Sequence, residues 1–357
     1  MNRSRQRIAV VGAGIVGVTM AWHLARRGAD VTLIDAGQPG GGVTSRAFGW
    51  INVAHDQPEP LMALRHLATH EWRRMQREVG EALQIDWCGG LTWRRDPAAT
   101  QRLAREHAAC GYDVRLMERA ELAAREPNLI EPPEVAAFAP IEGAIEAGAM
   151  TAVIARAAVE AGVTVRYGCA AEALETRGGS VTGVRTADGA VAADTVVLAA
   201  GTGSPALAQG FGPALPVAPS PAILLRFRAP QRLVHTIMTG PAMEVRHGGD
   251  SRLTAAEDYP EDGDVARIAR EALAAIRGAL RGTETLEIES AEAGWRPMPA
   301  DGLPHLGFQP DINGLYIMAM HAGVTLAPTV SRLATAEIVD GIAVAMLDDL
   351  RPGRSAA

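Results

Sequence analysis

The sequence predicts an α/β fold in which a parallel-sheet domain is discontinuous along the chain and a mixed-sheet α+β domain is inserted into it. The first observation behind this prediction is a strand–helix–strand pattern at Arg7–Val11, Ile15–Arg27 and Asp30–Ile34. The second is that strand-and-turn patterns of the same kind return at residues 150–203 and 315–347, with other material between them. The expected boundaries are 1–80, 145–215 and 296–357 for the sheet domain, and 81–144 and 216–295 for the inserted domain.

Helical periodicity predicts the longer elements between these patterns. Apolar residues recur at helical spacing from Leu61 to Val79, including Leu64 and Trp72, which predicts an amphipathic helix there. Further helices are predicted at Ala98–Cys110, Met150–Ala161, Val265–Arg281 and Pro328–Leu347.

Glycine turns mark the ends of several predicted strands. Ala171–Arg177 and Ser180–Thr186 flank Gly178-Gly179, which predicts a β-hairpin. The apolar, β-branched run Thr195–Ala200 stops at a glycine turn, and the predicted strand Leu315–Met320 likewise precedes a turn before the last helix.

Composition excludes several classes of protein. Of 357 residues, 48% are hydrophobic and 21% charged, which is ordinary for a globular protein with a large core. The net charge of −7 is spread along the chain and aromatic residues make up 4%, so no nucleic-acid partner is expected. Cys88, Cys110 and Cys169 lie far apart, which argues against a disulfide framework and a metal site and favours a reducing compartment.

The N-terminus has some features of a signal peptide. Arg3, Arg5 and Arg7 precede the apolar stretch Ile8–Ala25, but glycines at a meaningful spacing and His23 interrupt that stretch. No other stretch reaches the ~18 apolar residues that a membrane span needs. We therefore expect a cytoplasmic protein with no membrane partner.

The sharpest motif is Gly12-x-Gly14-x-x-Gly17, between the first strand and the first helix. Its glycines permit a tight turn, the approach of backbone to a pyrophosphate, and close packing of helix on strand. The amides at the helix start, those of Ile15 and Val16, would then face the phosphates.

An acidic residue completes this motif. Asp35, followed by Ala36, ends the second strand 18 residues after Gly17. A carboxylate there accepts hydrogen bonds from ribose hydroxyls and disfavours a 2′-phosphate. By itself the motif predicts an ADP-ribose site without distinguishing NAD from FAD. The interrupted domain favours FAD, since NAD dehydrogenases usually keep the nucleotide domain continuous, and we expect a Rossmann-type FAD-binding domain.

Four segments carry a resemblance to a known family. They are the N-terminal motif, Gly41–Ala47, Val196–Gly203, and the pair formed by Trp295–Gly307 and His321–Pro328. Together they make the chain similar to the D-amino-acid-oxidase superfamily of flavoproteins, which includes glycine oxidase, sarcosine oxidase and D-amino-acid dehydrogenases. They span nearly the whole chain in the family's order.

The resemblance, with the motif, implies a set of FAD contacts. These are Gly12, Gly14, Ile15, Val16, Gly17, Asp35, Ala36, Thr44, Ser45, Arg46, Gly49, Trp50, Ala171, Ala200, Gly201, Gly203, Arg296, Gly323, Val324, Thr325 and Leu326. Thr44 and Ser45 would bind the pyrophosphate or ribityl chain; their alternative interpretation is a helix N-cap. Ala171 would contact the adenine, and Gly323 would begin the segment against the pyrimidine edge of the flavin.

The resemblance also implies the catalytic and substrate residues. Arg296 would pair bidentately with a substrate carboxylate, and His321 would face the substrate. The alternatives are capping or a salt bridge at a domain boundary for Arg296, and a hydrogen bond that orients a loop for His321. Trp50 and Met243 would line the substrate pocket, although a methionine there is also compatible with simple packing.

The implied reaction is oxidation of glycine, an N-substituted glycine or a D-amino acid by hydride transfer from Cα to flavin N5, followed by imine hydrolysis. Molecular oxygen would reoxidise the flavin and give hydrogen peroxide. Two alternatives stay open: a dehydrogenase that uses a quinone or carrier, and a flavin-binding subunit of a larger complex.

The chain departs from the family pattern at two places. Met318 and Ala319 stand where many members have Gly-His, and no cysteine follows Cys169. The flavin should therefore be noncovalent; a homo-oligomer is compatible with the sequence.

Overall fold

The computed structural model describes residues 5–54, 59–249 and 251–354. Numbered along the chain, its strands are β1 (Arg7–Val11), β2 (Asp30–Asp35), β3 (Trp50–Ile51), β4 (Gly90–Thr92), β5 (Arg115–Glu118), β6 (Val135–Ala139), β7 (Gly143–Ala144), β8 (Thr164–Tyr167), β9 (Ala171–Arg177), β10 (Ser180–Thr186), β11 (Gly189–Ala192), β12 (Thr195–Leu198), β13 (Val217–Arg228), β14 (Ile237–Gly240), β15 (Met243–Gly248), β16 (Arg252–Asp258), β17 (Glu287–Pro299), β18 (His305–Phe308) and β19 (Leu315–Ala319). The helices are α1 (Ile15–Arg26), α2 (Glu59–Val79), α3 (Pro97–Ala109), α4 (Arg119–Arg125), α5 (Ala147–Glu160), α6 (Ser204–Ala208), α7 (Val265–Ala279) and α8 (Gly323–Asp340). None of the helices in these ranges is both long and apolar enough to cross a membrane.

The first sheet contains strands from three separate parts of the chain. Its order is β18-β19-β12-β1-β2-β8, and every pairing is parallel except that of β18 with β19. Strand β1 lies in the middle and is buried from Ile8 to Val11, because helices pack on the sheet and α1 contacts both α5 and α8. The predicted fold class, an interrupted parallel sheet with an added mixed sheet, is confirmed.

The second sheet has eight strands, in the order β17-β13-β16-β15-β14-β4-β6-β5. The sheet is mixed, because β14 pairs with β4 in parallel while all other neighbouring strands of the sheet pair antiparallel. Helix α7 packs on it and contributes Ala269, Ala272 and Ile276 to a buried apolar cluster. Strand β17 runs to Pro299, four residues past the expected end of the inserted segment at 295.

The predicted hairpin forms with the expected bounds. Strands β9 and β10 pair antiparallel with Ser180 opposite Arg177, and β11 adds a third strand. Gly178 and Gly179 have φ of 59° and 77°, the left-handed conformation that a two-residue hairpin turn requires.

Helix α8 differs from its prediction at both ends. It begins at Gly323, five residues before Pro328, which therefore lies inside the helix. Proline has no N–H to donate to the carbonyl four residues earlier, that of Val324, and Trp72 Nε1 donates to that oxygen instead at 3.0 Å. The helix ends at Asp340 because Gly341 follows in a left-handed conformation with φ 69°.

Candidate active site

The described residues enclose a cavity of about 640 Å³ between the two large sheets, a volume within the usual range for small-molecule and cofactor sites. Residues from all three parts of the parallel-sheet domain line one side of it, and strands β13, β15, β16 and β17 line the other. The cavity therefore lies where the sequence predicts both cofactor and substrate.

At one end of the cavity, two of the three motif glycines occupy positions where a side chain does not fit. Gly12 has φ 107°, and a Cβ there would overlap the carbonyl oxygen of Ala199. A Cβ at Gly17 would overlap the Gly12 carbonyl oxygen, so this glycine permits helix-to-strand packing without itself lining the cavity. Gly14 lines the cavity and caps α1 without a side-chain hydrogen bond, which leaves amides at the helix start for an anion.

Asp35 lies at the rim beside this turn. Its Oδ2 accepts a hydrogen bond from the Ala13 amide at 2.6 Å, and its Oδ1 accepts one from the Gly37 amide at 2.6 Å. These contacts fix the carboxylate where it lines the cavity together with Ala36. Each carboxylate oxygen retains acceptor capacity for a ribose hydroxyl.

A short 3₁₀ helix, Val43–Arg46, closes the other side of the turn. Thr44 is buried, and its Oγ1 accepts a hydrogen bond from the Ile15 amide at 3.2 Å. Arg46 also lines the cavity. Ser45 does not, because its hydroxyl donates back to the Gly42 carbonyl at 3.0 Å.

The remaining predicted cofactor positions also divide into residues that line the cavity and residues that do not. Those that line the cavity are Ile15, Val16, Gly49, Trp50, Ala171, Ala200, Gly201, Arg296, Gly323, Val324 and Thr325. Gly203 does not line it and instead precedes α6, and Leu326 is fully buried in the apolar core.

A buried carboxylate supports the strand that forms the cavity floor. Glu142 is fully buried; its Oε2 accepts from Trp50 Nε1 at 2.9 Å, and its Oε1 accepts from the amides of Val53 and Ala54 at 2.6 and 2.7 Å. Burial raises the pKa of this carboxyl to about 7, although all three hydrogen bonds favour the ionised form. Glu142 is therefore a carboxylate above neutral pH and takes up a proton as the pH falls through about 7.

Replacing Glu142 by glutamine is expected to destabilise the protein by about 1–3 kcal/mol, because the new amide N–H group meets the Trp50 N–H donor. In a Trp50→Phe background, which has no such donor, the same replacement should cost less. The two single variants and the double variant, unfolded in denaturant, measure this coupling. Equal effects of Glu142→Gln in both backgrounds would contradict the contact.

Sequence reasoning missed a buried cation in the same cavity. Arg65 extends from α2 to line the cavity and donates to Asn52 Oδ1, and its buried Nε has no hydrogen-bond partner in the described structure. Asn52 Oδ1 also accepts from Thr325 Oγ1 at 3.1 Å, which joins this group to the start of α8. Burial lowers the pKa of Arg65 to about 10, so it stays cationic near neutral pH. Its one sequence signal is a charge on the apolar face of α2, between Leu61 and Leu64 on one side and Trp72 on the other.

Arg296 reaches the cavity from β17. Its Nη2 donates to Ser220 Oγ at 3.0 Å and to the Pro221 carbonyl at 3.2 Å, and its Nε donates to the Ser220 carbonyl at 3.3 Å. These contacts with β13 fix the plane of the guanidinium, and Nη1 keeps no partner among the described residues. Among the described residues, no carboxylate forms an ion pair with Arg296. The salt-bridge interpretation of this arginine therefore finds no support in them.

The structure corrects the assignment of Met243. Its side chain is 5% exposed and packs in the apolar cluster beneath the second sheet, so it does not line the cavity. The next residue, Glu244, lines it instead. Alternate residues of a strand point to opposite faces, and Met243 takes the face that packs against the core. His321, as predicted, lines the cavity, at the turn between β19 and α8.

These features fit FAD as a group. The glycine turn with the start of α1, the fixed Asp35 carboxylate and the amides at the start of α8 lie along one cavity. Their donors and acceptors suit a pyrophosphate, a ribose and the pyrimidine edge of a flavin.

Comparison with known proteins agrees with this geometry. The family model described as DAO, FAD dependent oxidoreductase, matches residues 7–337. A D-amino acid dehydrogenase of Cereibacter sphaeroides is 30% identical over 94% of this chain and 92% of its own length. A glycine oxidase of Geobacillus kaustophilus is 28% identical over 94% of this chain and 93% of its own length.

Solved structures share the fold over nearly the whole chain. The crystal structure of glycine oxidase from Geobacillus kaustophilus has a TM-score of 0.88 at 23% identity, covering 99% of this chain and 100% of that one. L-amino acid deaminase from Proteus vulgaris has a TM-score of 0.87 at 20% identity, covering 96% and 95%. With the family match across residues 7–337, the conclusion is direct: the chain belongs to the DAO family of FAD-dependent oxidoreductases.

Proposed function

We propose that this enzyme oxidises the Cα–N bond of an amino acid: glycine, an N-substituted glycine or a D-amino acid. The observation that carries the proposal is Arg296, a guanidinium held by three hydrogen bonds in the same cavity as the dinucleotide turn. A planar guanidinium suits a carboxylate, which all of these substrates carry. The names of the relatives, glycine oxidase and D-amino acid dehydrogenase, support the same substrate class.

The chain's own residues would hold FAD as follows. The turn at Gly12 and Gly14 would receive the pyrophosphate, Asp35 the ribose, Ala171 the adenine side, and the segment from Gly323 the flavin edge. Bound FAD supplies the acceptor for the hydride. None of the cysteines Cys88, Cys110 and Cys169 lines the cavity, which supports noncovalent binding.

The substrate would lie between the flavin position and the second sheet. Arg296 would bind the carboxylate of the substrate and so orient its Cα–H bond. Orientation of this kind is the main contribution of the protein to the reaction. Ala222, Leu224 and Ala256 form an apolar part of that wall and would limit access of water during the transfer. The imine product would then be hydrolysed by water.

Arg65 would place a positive charge near the flavin end of the cavity, since it reaches the start of α8 through Asn52 and Thr325. Replacing Arg65 by methionine is expected to make the two-electron potential of bound FAD more negative by roughly 30 mV, the equivalent of about 1.4 kcal/mol. Reduction of the holoprotein beside a reference dye measures this shift. Arg77→Met, on the exposed face of the same helix, is the control; equal potentials in both variants would refute the role.

Molecular oxygen as the electron acceptor and a cytoplasmic location are parts of the same proposal. The relative named D-amino acid dehydrogenase favours a second candidate, in which a quinone or carrier takes the electrons. Peroxide formed per substrate oxidised in air separates the two. One equivalent supports the oxidase, and substrate turnover that needs an added quinone supports the dehydrogenase.

A further inference from the structure

A carboxylate that has no hydrogen bond or ion pair to a described residue lies on the substrate side of the cavity. Glu244 lines the cavity from β15, and no described residue donates a hydrogen bond to it or forms an ion pair with it. It is partly buried, where an unpaired charge is unfavourable unless something compensates it. The strand alternation that turns Met243 into the core turns Glu244 toward the cavity.

Strand register separates this carboxylate from Arg296. Val245 pairs with Ala255, so Glu244 is level with Ala256; Ala256 pairs with Leu224, and Leu224 pairs with Glu292. Arg296 is four residues further along β17, about 13 Å of strand, and β15 and β17 are three strand spacings apart, about 14 Å. The backbone positions of the two residues are therefore well separated on the same wall, with Ala222, Leu224 and Ala256 between them.

The surroundings of Glu244 are negative. Burial, followed by nearby Glu257 and Asp258, raises its pKa to about 7, and Arg296, the smallest of these influences, lowers it. A cation bound beside Glu244 would favour its ionised form. A second carboxylate on the substrate would be repelled from the same place.

We propose that Glu244 forms a second substrate subsite, which binds a positively charged group carried on the side chain or N-substituent of the amino acid. The proposal rests on the function proposed above and narrows its substrate class. Arg296 holds the carboxylate, and Glu244 selects a cationic extension such as an amine or guanidine over a neutral or anionic one. Basic D-amino acids and N-(aminoalkyl)glycines are substrates of this class.

Binding of unreactive ligands tests the subsite without requiring turnover. Hexanoate and 6-aminohexanoate have the same chain length, carry a carboxylate for Arg296 and lack an α-amine to oxidise. Titration of the holoprotein with each, followed by the visible absorbance of the flavin, gives both dissociation constants. We expect 6-aminohexanoate to bind roughly tenfold more tightly, and Glu244→Gln to remove that preference.

Glu287→Gln is the matched control, because it removes the same charge from an exposed position on β17. It should keep the tenfold preference. Glu244→Asp, which keeps the charge, should keep part of it, and this guards against a structural effect of the glutamine. Equal binding of the two ligands to the unaltered protein, or an undiminished preference in Glu244→Gln, would overturn the proposal.

A shorter ligand separates this role from a contact with the reacting amine. In one outcome, β-alanine binds more tightly than propanoate, while 6-aminohexanoate binds no more tightly than hexanoate. Glu244 would then face the amine that is oxidised, and the subsite would be refuted. Failure of the proposed function would give a different result from failure of the subsite. In that case no amino acid, cationic or neutral, would reduce the flavin, whatever the ligand pair shows.

Discussion

Replacing Arg296 by alanine is expected to lower kcat/KM for the amino-acid substrate on the order of 10²- to 10³-fold while FAD stays bound. The reason is that the substrate carboxylate would enter a partly apolar cavity without its cation. Ser220 Oγ, which accepts from Arg296 Nη2 at 3.0 Å, remains and provides only a neutral contact. Anaerobic reduction of the flavin over a range of substrate concentrations measures the loss directly.

Two controls define the cause of that loss. Arg228→Ala removes a 72%-exposed arginine from the neighbouring strand and should leave kcat/KM unchanged. Arg296→Lys keeps the charge without the planar fork and should recover only part of the activity. A full-activity Arg296→Ala variant would contradict the carboxylate anchor, and it would favour a flavin-binding subunit without a substrate of its own.

Replacing Gly14 by valine is expected to weaken FAD binding by about 10²-fold or more and to yield protein purified largely without flavin. A Cβ at Gly14 already lies 3.2 Å from Thr44 Oγ1, and the branched side chain would occupy the space above the start of α1. The amides that should receive the pyrophosphate would then be out of reach. Flavin content per protein and titration of the apoprotein with FAD give the two numbers.

Gly278→Val is the control for that variant. Gly278 is exposed on α7, and a Cβ there meets no atom within 4 Å, so the protein should retain full flavin content. Circular dichroism of Gly14→Val should match that of the unaltered apoprotein, since the expected damage is to binding rather than to folding. A folded Gly14→Val protein with full flavin content would contradict the assignment of this turn to the pyrophosphate.

The parts of the site that the sequence predicts are those made by local chain geometry. Gly12, Gly14 and Gly17 act within one strand–turn–helix unit, and Asp35 ends the adjacent strand, so spacing alone indicates their arrangement. Arg296 came from resemblance, and the structure places it in the cavity. The glycines and Asp35 depend on a few neighbouring residues, whereas Arg296 is held by Ser220 and Pro221 on another strand.

The parts that escaped prediction depend on contacts between distant segments. Glu142 meets Trp50 across 92 positions, and Arg65 becomes a cavity residue only because α2 packs beside α8. Nothing in the local pattern distinguishes Glu142 from an ordinary surface charge, and the one signal for Arg65 is its place on the apolar face of α2. The prediction that Met243 lines the pocket is wrong by a single position, since Glu244 lines it instead. A one-residue error along a strand exchanges the two faces of the strand.

The central claim is that one cavity binds FAD beside an amino acid held by Arg296. Anaerobic titration of the purified holoprotein with a panel of glycine, N-substituted glycines and D-amino acids tests it most directly. We expect at least one of these compounds to bleach the flavin spectrum, and we expect the bleaching to lose its saturation with substrate in Arg296→Ala. Two results would contradict this claim. In one, the protein binds FAD but none of the compounds bleaches the flavin; in the other, the protein purifies without flavin and takes up none when FAD is added.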